Sequence, residues 1–219
     1  MAHLTEEFVN LEGDAPVRGF LHRADGPDFL VLTHGAGGNC KAPLLIALAE
    51  RFAATGLTTL RCDLPYRQRR PAGPPSPSDA KQDQAGLRRA VTLLREKFSG
   101  QAFLGGVSYG GRQASMLLAA EPSLADGLLL MSYPLHPPGR PAQLRTAHLP
   151  NLQRPTLLVS GTRDAFGSIT ELEAAIKLIP ARPKLIAIES AGHGLLQKAN
   201  RQELPDRVVR EFQSFFSVD

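Results

Sequence analysis

The sequence predicts an α/β fold, in which a mostly parallel, twisted sheet of seven to eight strands carries helices on both faces. Short apolar runs of strand length alternate with amphipathic helical patterns along the 219 residues, as expected when helices cover a parallel sheet. One strand-like run turns directly into a helix through a glycine-rich segment that contains a serine. Other runs end in polar or glycine-rich segments, at the edge where such sheets bind ligands. We therefore expect a single domain spanning residues 1–219.

The N-terminal part of the chain predicts a hairpin followed by a buried strand. Thr5–Asn10 and Val17–His22 are short runs of strand character that predict an antiparallel pair. Phe29–Thr33 is continuously apolar, which is typical of a strand buried on both faces. This strand leads into the glycine-rich segment His34–Asn39. Pro43 then begins a helix at its first turn, the position that proline favours.

A fourth strand and a second long helix occupy the next part of the chain. Leu57–Cys62 predicts the strand. We interpret Arg67–Ser78, which is rich in proline and arginine, as a surface loop because the alternation of strands and helices resumes directly after it. Asp79 and Gln82 resemble a capping box at the start of the helix, whose apolar face extends to Phe98.

The C-terminal half continues the same alternation of strands and helices. Three further apolar runs predict strands at Leu128–Ser132, Thr156–Ser160 and Lys184–Ile188. Tyr133–Gln153 has no helical stripe and predicts an unusually long loop, and loops of that length are often functional. Ser168 and Glu171 predict a capping box, and Val208–Phe216 predicts a final amphipathic helix.

The serine lies in Gly106–Gly110, which matches the G-x-S-x-G pattern of a nucleophile elbow. Ala102–Leu104 precedes it as a short apolar strand, and Tyr109–Ala120 follows it as a helix. This order places Ser108 at the apex of a sharp turn, with its hydroxyl exposed. The flanking glycines fit such a turn because strand and helix cross too closely there for a Cβ atom.

Ser108 needs a general base and an orienting acid, because a serine hydroxyl is a weak nucleophile near neutral pH. Asp164 and His193 follow two later predicted strands, and the interval between them leaves room for one helix and one strand. We predict Ser108, Asp164 and His193 as catalytic residues, with Glu189 as the alternative acid. Three residues of these types after three different strands argue against a chance arrangement.

The backbone amides of Ala36 and Tyr109 are the predicted donors for a developing oxyanion. The glycines around Ala36 allow the backbone to turn an amide towards the site. A phosphate-binding loop is the alternative, because residues 35–42 almost fit G-x-x-x-x-G-K-[ST]. The match fails at Cys40, where a glycine is required, and at Ala42, where a serine or threonine is required.

These residues identify a resemblance to the α/β-hydrolase superfamily over nearly the whole chain. It rests on His34–Gly37, Gly106–Gly110, Gly161–Asp164 and Gly192–His193, in the chain order Ser, Asp, His of that superfamily's triad. Within it, the chain resembles the small dienelactone-hydrolase-like proteins. A branch whose animal relatives include a testis-expressed protein and a subunit of the nonspecific-lethal chromatin complex is more similar still.

The closer resemblance rests on the run Gly-Gly-Arg-Gln-Ala-Ser and on the segment that begins at Ser132. Dienelactone hydrolases use a cysteine as nucleophile, whereas this chain has Ser108, so the resemblance does not extend to their substrate. Many members of the superfamily carry a helical cap before the acid. Only the loop Tyr133–Gln153 occupies that interval here, so we expect no large cap domain.

We therefore expect a serine hydrolase that cleaves a small or medium carboxylic ester or thioester. The alternative is an α/β-hydrolase-like interaction module whose catalytic residues are idle, as the chromatin-complex relative suggests. A peptidase of the same fold would use the same three residues. The candidate substrate contacts are Arg67, His136 and Arg145; further arginines and a histidine on the same loops or after Ser108 are Arg69, Arg70, Arg112, Arg140 and His148.

Composition excludes several other classes of function. The net charge of +4 is compatible with nucleic-acid binding, but the basic residues are scattered, apart from the cluster at 67–70, without interleaved aromatic residues. Two cysteines are too few for a disulfide framework, and no metal-binding spacing of His or Cys is present. No apolar run approaches the roughly 20 residues that span a bilayer. We expect a cytoplasmic protein without metal, cofactor, nucleic-acid or membrane partner.

Overall fold

The computed structural model describes residues 4–13 and 15–218, in which eight strands form one sheet. The strands are β1 (Thr5–Asn10), β2 (Val17–His22), β3 (Phe29–Thr33), β4 (Thr58–Asp63), β5 (Ala102–Val107), β6 (Gly127–Met131), β7 (Thr156–Gly161) and β8 (Pro183–Ile188). Their order across the sheet is β1-β2-β4-β3-β5-β6-β7-β8. Only the pairings of β2 with β1 and β4 are antiparallel. The predicted mostly parallel sheet is confirmed.

Helices cover both faces of this sheet. They are α1 (Pro43–Ala54), α2 (Pro65–Arg69), α3 (Ala80–Arg95), α4 (Tyr109–Ala120), α5 (Ile169–Ile176) and α6 (Glu203–Phe216). α1 and α6 pack on one face, and α3, α4 and α5 pack on the other. The described residues contain no large cap, and none of their helices is long and apolar enough to cross a membrane.

The central strand β3 is buried on both faces, as its continuous apolar sequence predicts. Leu30 and Leu32 face the layer of α1 and α6, while Val31 faces the opposite layer. This division follows from the alternation of side chains along a strand. Phe212 of α6 contacts the edges of two other aromatic rings in the first layer, at centroid distances of 4.9–5.0 Å.

Strand order brings the segments after β3 and β5 together. β3 lies between β4 and β5, so the chain runs from β3 to β4 on one side and then crosses back to β5 on the other side. Thr33 at the end of β3 pairs with Gly106 near the end of β5. The loop that begins at His34 therefore starts beside Ser108. A reversal of strand order at this edge opens the crevice in which such sheets bind ligands.

The segment Arg67–Ser78 is not a loop throughout, because it begins inside α2. Pro65 occupies the first turn of this helix, the position that proline favours, and the Tyr66 amide donates to the Asp83 carboxylate at 3.0 Å. This helical turn was not predicted, because the segment is rich in proline and arginine, which is typical of a loop.

One of the two predicted capping boxes is present as predicted. Ser168 and Glu171 exchange both hydrogen bonds at the start of α5. The box predicted for Asp79 and Gln82 was wrong, because the carboxylate of Asp79 reaches backwards to Ser76 instead. Ser76 and Asp79 form the capping box of a short 3₁₀ turn that precedes α3, and the helix itself begins at Ala80.

Candidate active site

Ser108 occupies the sharp turn between β5 and α4 with a backbone φ of 50° and ψ of −116°. Non-glycine residues rarely adopt positive φ angles, and they cluster at functional sites. A Cβ atom on Gly106 would lie 2.7 Å from the carbonyl carbon of Gly110, and one on Gly110 would lie 2.4 Å from the His34 oxygen. The glycines thus allow the strand and helix to cross closely enough to hold Ser108 in this conformation.

The structure brings the three predicted catalytic residues into one hydrogen-bonded chain. His193 Nε2 lies 2.8 Å from Ser108 Oγ. The other ring nitrogen, Nδ1, lies 2.9 Å from both carboxylate oxygens of Asp164. A proton on Nδ1 donated to Asp164 leaves Nε2 free to accept the proton of the serine hydroxyl. The alternative acid, Glu189, is exposed and takes no part in this chain.

Local packing fixes the positions of the histidine and the carboxylate. Asp164 is buried and also accepts a hydrogen bond from the Phe166 amide at 2.9 Å. The Phe166 ring stacks on the His193 imidazole, with 4.1 Å between ring centroids. A Cβ atom on Gly161 would lie 2.2 Å from the Ala191 oxygen. Glycine at the end of β7 therefore allows the segments carrying Asp164 and His193 to approach each other.

The two amides predicted to stabilise an oxyanion belong to residues that line one cavity with Ser108. Tyr109 is the first residue of α4, so its amide precedes the helical hydrogen bonds. Within the described part of the chain, the amides of Ala36 and Tyr109 donate no hydrogen bond to the protein. Both donors are therefore free for a ligand.

The carbonyl groups of the loop that contains Ala36 are held by two side chains of α2. The Tyr66 hydroxyl donates to the Ala36 oxygen at 2.7 Å, and Arg67 Nη2 donates to the same oxygen at 3.0 Å. Arg67 Nε donates to the Gly38 oxygen at 2.8 Å. The Ala36 amide shares its peptide unit with the Gly35 carbonyl, which accepts a hydrogen bond from the Gly38 amide at 3.0 Å. The bonds to the Ala36 and Gly38 oxygens hold the following peptide units, so the loop that carries this amide is supported from both sides.

Arg67 does not occupy the position expected of a substrate contact. Its guanidinium is buried and donates to four backbone carbonyls, those of Ala36, Gly38, Arg70 and Gly73. It lies outside the cavity wall. A buried guanidinium requires acceptors, and here the backbone supplies them, so Arg67 supports the loop.

His34 is the structural histidine of the same loop. It is buried, and its Nε2 accepts a hydrogen bond from the Leu64 amide at 3.1 Å. Nδ1 then carries the proton and donates to the Gly35 oxygen at 2.8 Å. Burial lowers the pKa of His34 from its usual value, so the ring is neutral and helps to fix the turn.

Ser108 opens onto a cavity of about 980 Å³, which we call the Ser108 cavity. Apolar side chains form most of its wall; those of the loop before α3, of α1 and of α4 include Pro74, Pro75, Pro77, Leu44, Leu45 and Met116. The volume lies at the upper end of the range for small-molecule sites. The interpretation of 67–78 as a surface loop missed that its prolines form part of this wall.

Two of the candidate arginines line the Ser108 cavity, and the candidate histidines do not. Arg112 and Arg145 belong to its wall. His136 is buried outside the cavity, where its Nδ1 lies 2.9 Å from the Pro137 oxygen. His148 contacts Ser115 Oγ at 2.8 Å. Phe166 also lines the cavity, and sequence reasoning missed it because one phenylalanine in a loop gives no signal.

A model of the alpha/beta hydrolase domain family matches residues 27–216. Among curated proteins, 50 residues are 46% identical to polyketide synthase ThaQ from Burkholderia thailandensis, which is 23% of this chain and 2% of that protein. The chain therefore spans only a very small part of that relative. The family match instead covers most of the chain and supports a hydrolase.

Solved structures of hydrolases share this architecture over almost their whole length. Dienelactone hydrolase from Anabaena variabilis aligns with a TM-score of 0.79 and 20% identity, covering 98% of this chain and 99% of that chain. Est1E from Butyrivibrio proteoclasticus gives 0.75 and 15% over 98% and 99%. A serine hydrolase homologue from Coxiella burnetii gives 0.75 and 17% over 94% and 96%. The predicted dienelactone-hydrolase-like fold is confirmed.

Proposed function

The chain belongs to the alpha/beta hydrolase family, and we propose that it is a serine hydrolase cleaving a small or medium carboxylic ester or thioester. The observation that carries the proposal is the hydrogen-bonded chain from Ser108 through His193 to Asp164, with distances of 2.8 and 2.9 Å. This series of hydrogen bonds begins at Ser108 in the wall of the Ser108 cavity, where a substrate carbonyl can reach the serine hydroxyl.

In the first half of the proposed reaction, His193 Nε2 takes the hydroxyl proton while Ser108 Oγ bonds to the carbonyl carbon. The carbonyl oxygen becomes an oxyanion and accepts hydrogen bonds from the amides of Ala36 and Tyr109. Asp164 stabilises the imidazolium that forms. His193 then gives its proton to the departing alcohol or thiol, and the acyl group remains on Ser108.

In the second half, a water molecule loses a proton to His193 and attacks the acyl carbon. Collapse of the second oxyanion breaks the bond to Ser108 Oγ, which recovers its proton from His193. The carboxylic acid leaves, and the site returns to its initial state. These steps use only side chains, backbone amides and water, so the proposal requires neither a metal nor a cofactor.

The proposal is tested with neutral p-nitrophenyl esters of increasing acyl length. Ser108→Ala should lower kcat by roughly 10³-fold or more, as triad knockouts do, and should leave the circular dichroism spectrum unchanged. Ser123→Ala, which changes an exposed serine beyond α4, is the matched control and should keep full activity. Equal turnover by the wild-type protein and Ser108→Ala would remove Ser108 from the reaction.

The idle interaction module predicts a different outcome in the same assay. It requires that the wild-type protein hydrolyse none of the esters, neutral or charged, and that Ser108 resist acylating reagents. Hydrolysis that depends on Ser108 excludes that alternative. No feature of the site favours idleness, because His193 lies within hydrogen-bonding distance of both Ser108 and Asp164.

A further inference from the structure

The wall of the Ser108 cavity contains two arginines and no carboxylate among the described residues. Arg112 lies one helical turn after Ser108, and its amide donates to the Ser108 oxygen at 2.9 Å. Arg145 lies on the long loop after β6. Its backbone is fixed at both ends, because its amide donates to the Leu135 oxygen at 2.8 Å and its oxygen accepts from the Tyr133 hydroxyl at 2.6 Å.

The guanidinium of Arg112 has no partner in the described part of the chain. It takes part in none of the side-chain hydrogen bonds or ion pairs there, and its Nε is buried without an acceptor. Arg145 uses Nη1 on the Pro134 oxygen at 3.1 Å. Its other donors make no hydrogen bond to a described residue. A buried donor without an acceptor is costly, so Arg112 Nε would be stabilised by an acceptor that enters the Ser108 cavity. The remaining donors of Arg145 are available to the same ligand.

The two charges also act on each other and on a neighbouring histidine. Burial and then the charge of Arg112 lower the pKa of Arg145. The same two causes lower the pKa of His148 to about 4, so this ring is neutral near pH 7 and adds no charge. Two like charges at one wall repel, and a bound anion would relieve that repulsion.

Seven other arginines among the described residues have acidic partners. Arg69 and Arg70 both pair with Asp79, and Arg88 pairs with Glu121. Two further arginines, Arg61 and Arg67, are buried and donate to acceptors of the protein instead. Arg112 differs from both groups, because it lines the Ser108 cavity with a buried Nε that has no acceptor among the described residues.

We propose that Arg112 and Arg145 form an anion subsite for a carboxylate carried by the substrate. The preferred substrates are then esters or thioesters that carry an additional, ionised carboxyl group. This inference rests on the proposed function. A guanidinium fork matches the two oxygens of a carboxylate. A phosphate has a third oxygen to satisfy, and the remaining wall near the pair, formed by Met116 and Pro134, is apolar. An apolar wall beside two arginines suits a ligand with an aliphatic chain that ends in a carboxylate.

Two pairs of esters test the subsite, each matched in size. The first compares mono-p-nitrophenyl suberate with p-nitrophenyl octanoate, which places the carboxylate on the acyl side. The second compares the octanoyl esters of 4-hydroxybenzoate and of methyl 4-hydroxybenzoate, which places it on the leaving group. In one pair at least, kcat/KM should favour the anionic ester by roughly 10- to 100-fold at low salt. The preference should shrink as salt screens the charges.

Substitutions identify the arginines responsible for the preference. Arg112→Gln and Arg145→Gln should each reduce the ratio of kcat/KM for the anionic and neutral esters to near one. Arg140→Gln removes an exposed arginine from the same loop and should keep the wild-type ratio. Hydrolysis of neutral esters without preference in either pair overturns the subsite and leaves the proposed function intact. An unchanged ratio in both arginine variants has the same consequence.

A binding measurement separates the subsite from catalysis. Ser108→Ala retains the cavity wall, so isothermal titration calorimetry with monomethyl suberate and dimethyl suberate measures recognition alone. The ionised monoester should bind roughly 10-fold or more tightly than the neutral diester, and Arg112→Gln in this background should remove the difference. Equal binding overturns the subsite. Selective binding by a protein that hydrolyses no ester supports the subsite and overturns the proposed function.

Discussion

The two sides of Ser108 differ in how their polar groups are satisfied. On one side, which we call the reaction side, Arg67 donates to four carbonyls and His193 is hydrogen-bonded to both Ser108 and Asp164. On the other, which we call the arginine side, Arg112 has no partner among the described residues. Buried polar groups in proteins are normally paired; the reaction side follows this rule, whereas the arginine side leaves Arg112 Nε buried without an acceptor among the described residues.

Arginine therefore has two different roles beside Ser108. Arg67 fixes the backbone, while Arg112 faces the space that a substrate would occupy. Changes on the reaction side should slow the cleavage of every ester to a similar extent. Changes on the arginine side should alter which ester is preferred. The following experiments test that division, from the largest expected effect to the smallest.

The largest effect after loss of Ser108 is expected for Asp164→Asn. An amide cannot stabilise the imidazolium and favours the wrong tautomer of His193, so kcat should fall about 10²- to 10⁴-fold. The ratio between anionic and neutral esters should stay at the wild-type value. Glu189→Gln removes the alternative acid, which is exposed and lies outside the wall of the Ser108 cavity, and should have no effect. Full activity of Asp164→Asn would show that a different group orients His193.

A smaller effect on the same side is expected for Arg67→Lys. A lysine ammonium cannot reach all four carbonyls, so the loop that carries the Ala36 amide loses part of its support, and kcat should fall about 10- to 100-fold. The loss should be equal for anionic and neutral esters. Arg69→Lys changes a half-exposed arginine of the same helix and should retain full turnover. A selective loss of activity on the anionic ester would instead assign Arg67 to substrate binding.

The smallest effect concerns the charge that Arg112 exerts on His148. Burial and that charge lower the pKa of His148 from 6.5 to about 4, so the unfolded chain takes up this proton at a higher pH than the folded protein. The free energy of unfolding should therefore decrease as the pH falls from about 6.5 to about 4. NMR titration should give a higher pKa for His148 in Arg112→Gln. An unchanged pKa would show that the charge of Arg112 does not act on the His148 ring.

His22 adds to the same pH dependence from another part of the fold. Burial and then the charge of Arg61 lower its pKa to about 4, and Arg61 Nε donates to its ring at 2.8 Å. His148→Gln should consequently make the decrease in unfolding free energy shallower without abolishing it. Chemical denaturation at a series of pH values measures this slope. An unchanged slope would show that His148 does not contribute to the pH dependence of the free energy of unfolding.

Much of this architecture could be predicted from the sequence because each element carries a local signal. Continuous apolar runs such as Phe29–Thr33 mark strands buried on both faces, and the glycines around Ser108 mark a close crossing. Asp164 and His193 could be predicted as partners because each follows a strand. Parallel strands end at one edge of the sheet, so chain order is enough to bring these residues to the same edge.

The prediction was weakest for side chains whose role depends on distant neighbours. Arg67 and Arg145 are both arginines that follow strands. Only the contacts of Arg67 with the 34–38 loop show that it supports this loop, whereas Arg145 lines the Ser108 cavity. Asp79 matched a capping box with Gln82, yet Ser76 and two arginines occupy its carboxylate. Sequence patterns record residue types, whereas these roles depend on which acceptors the fold brings within reach.

The most direct test of the central claim is covalent labelling of Ser108 by a fluorophosphonate, located by peptide mass spectrometry. Such reagents modify a serine that a neighbouring base has activated. The wild-type protein should be labelled at Ser108. His193→Ala, which retains the serine but removes its base, should be labelled far more slowly. Equal labelling rates in the two proteins, or a label on another residue, would contradict the assignment of Ser108 as a nucleophile activated by His193.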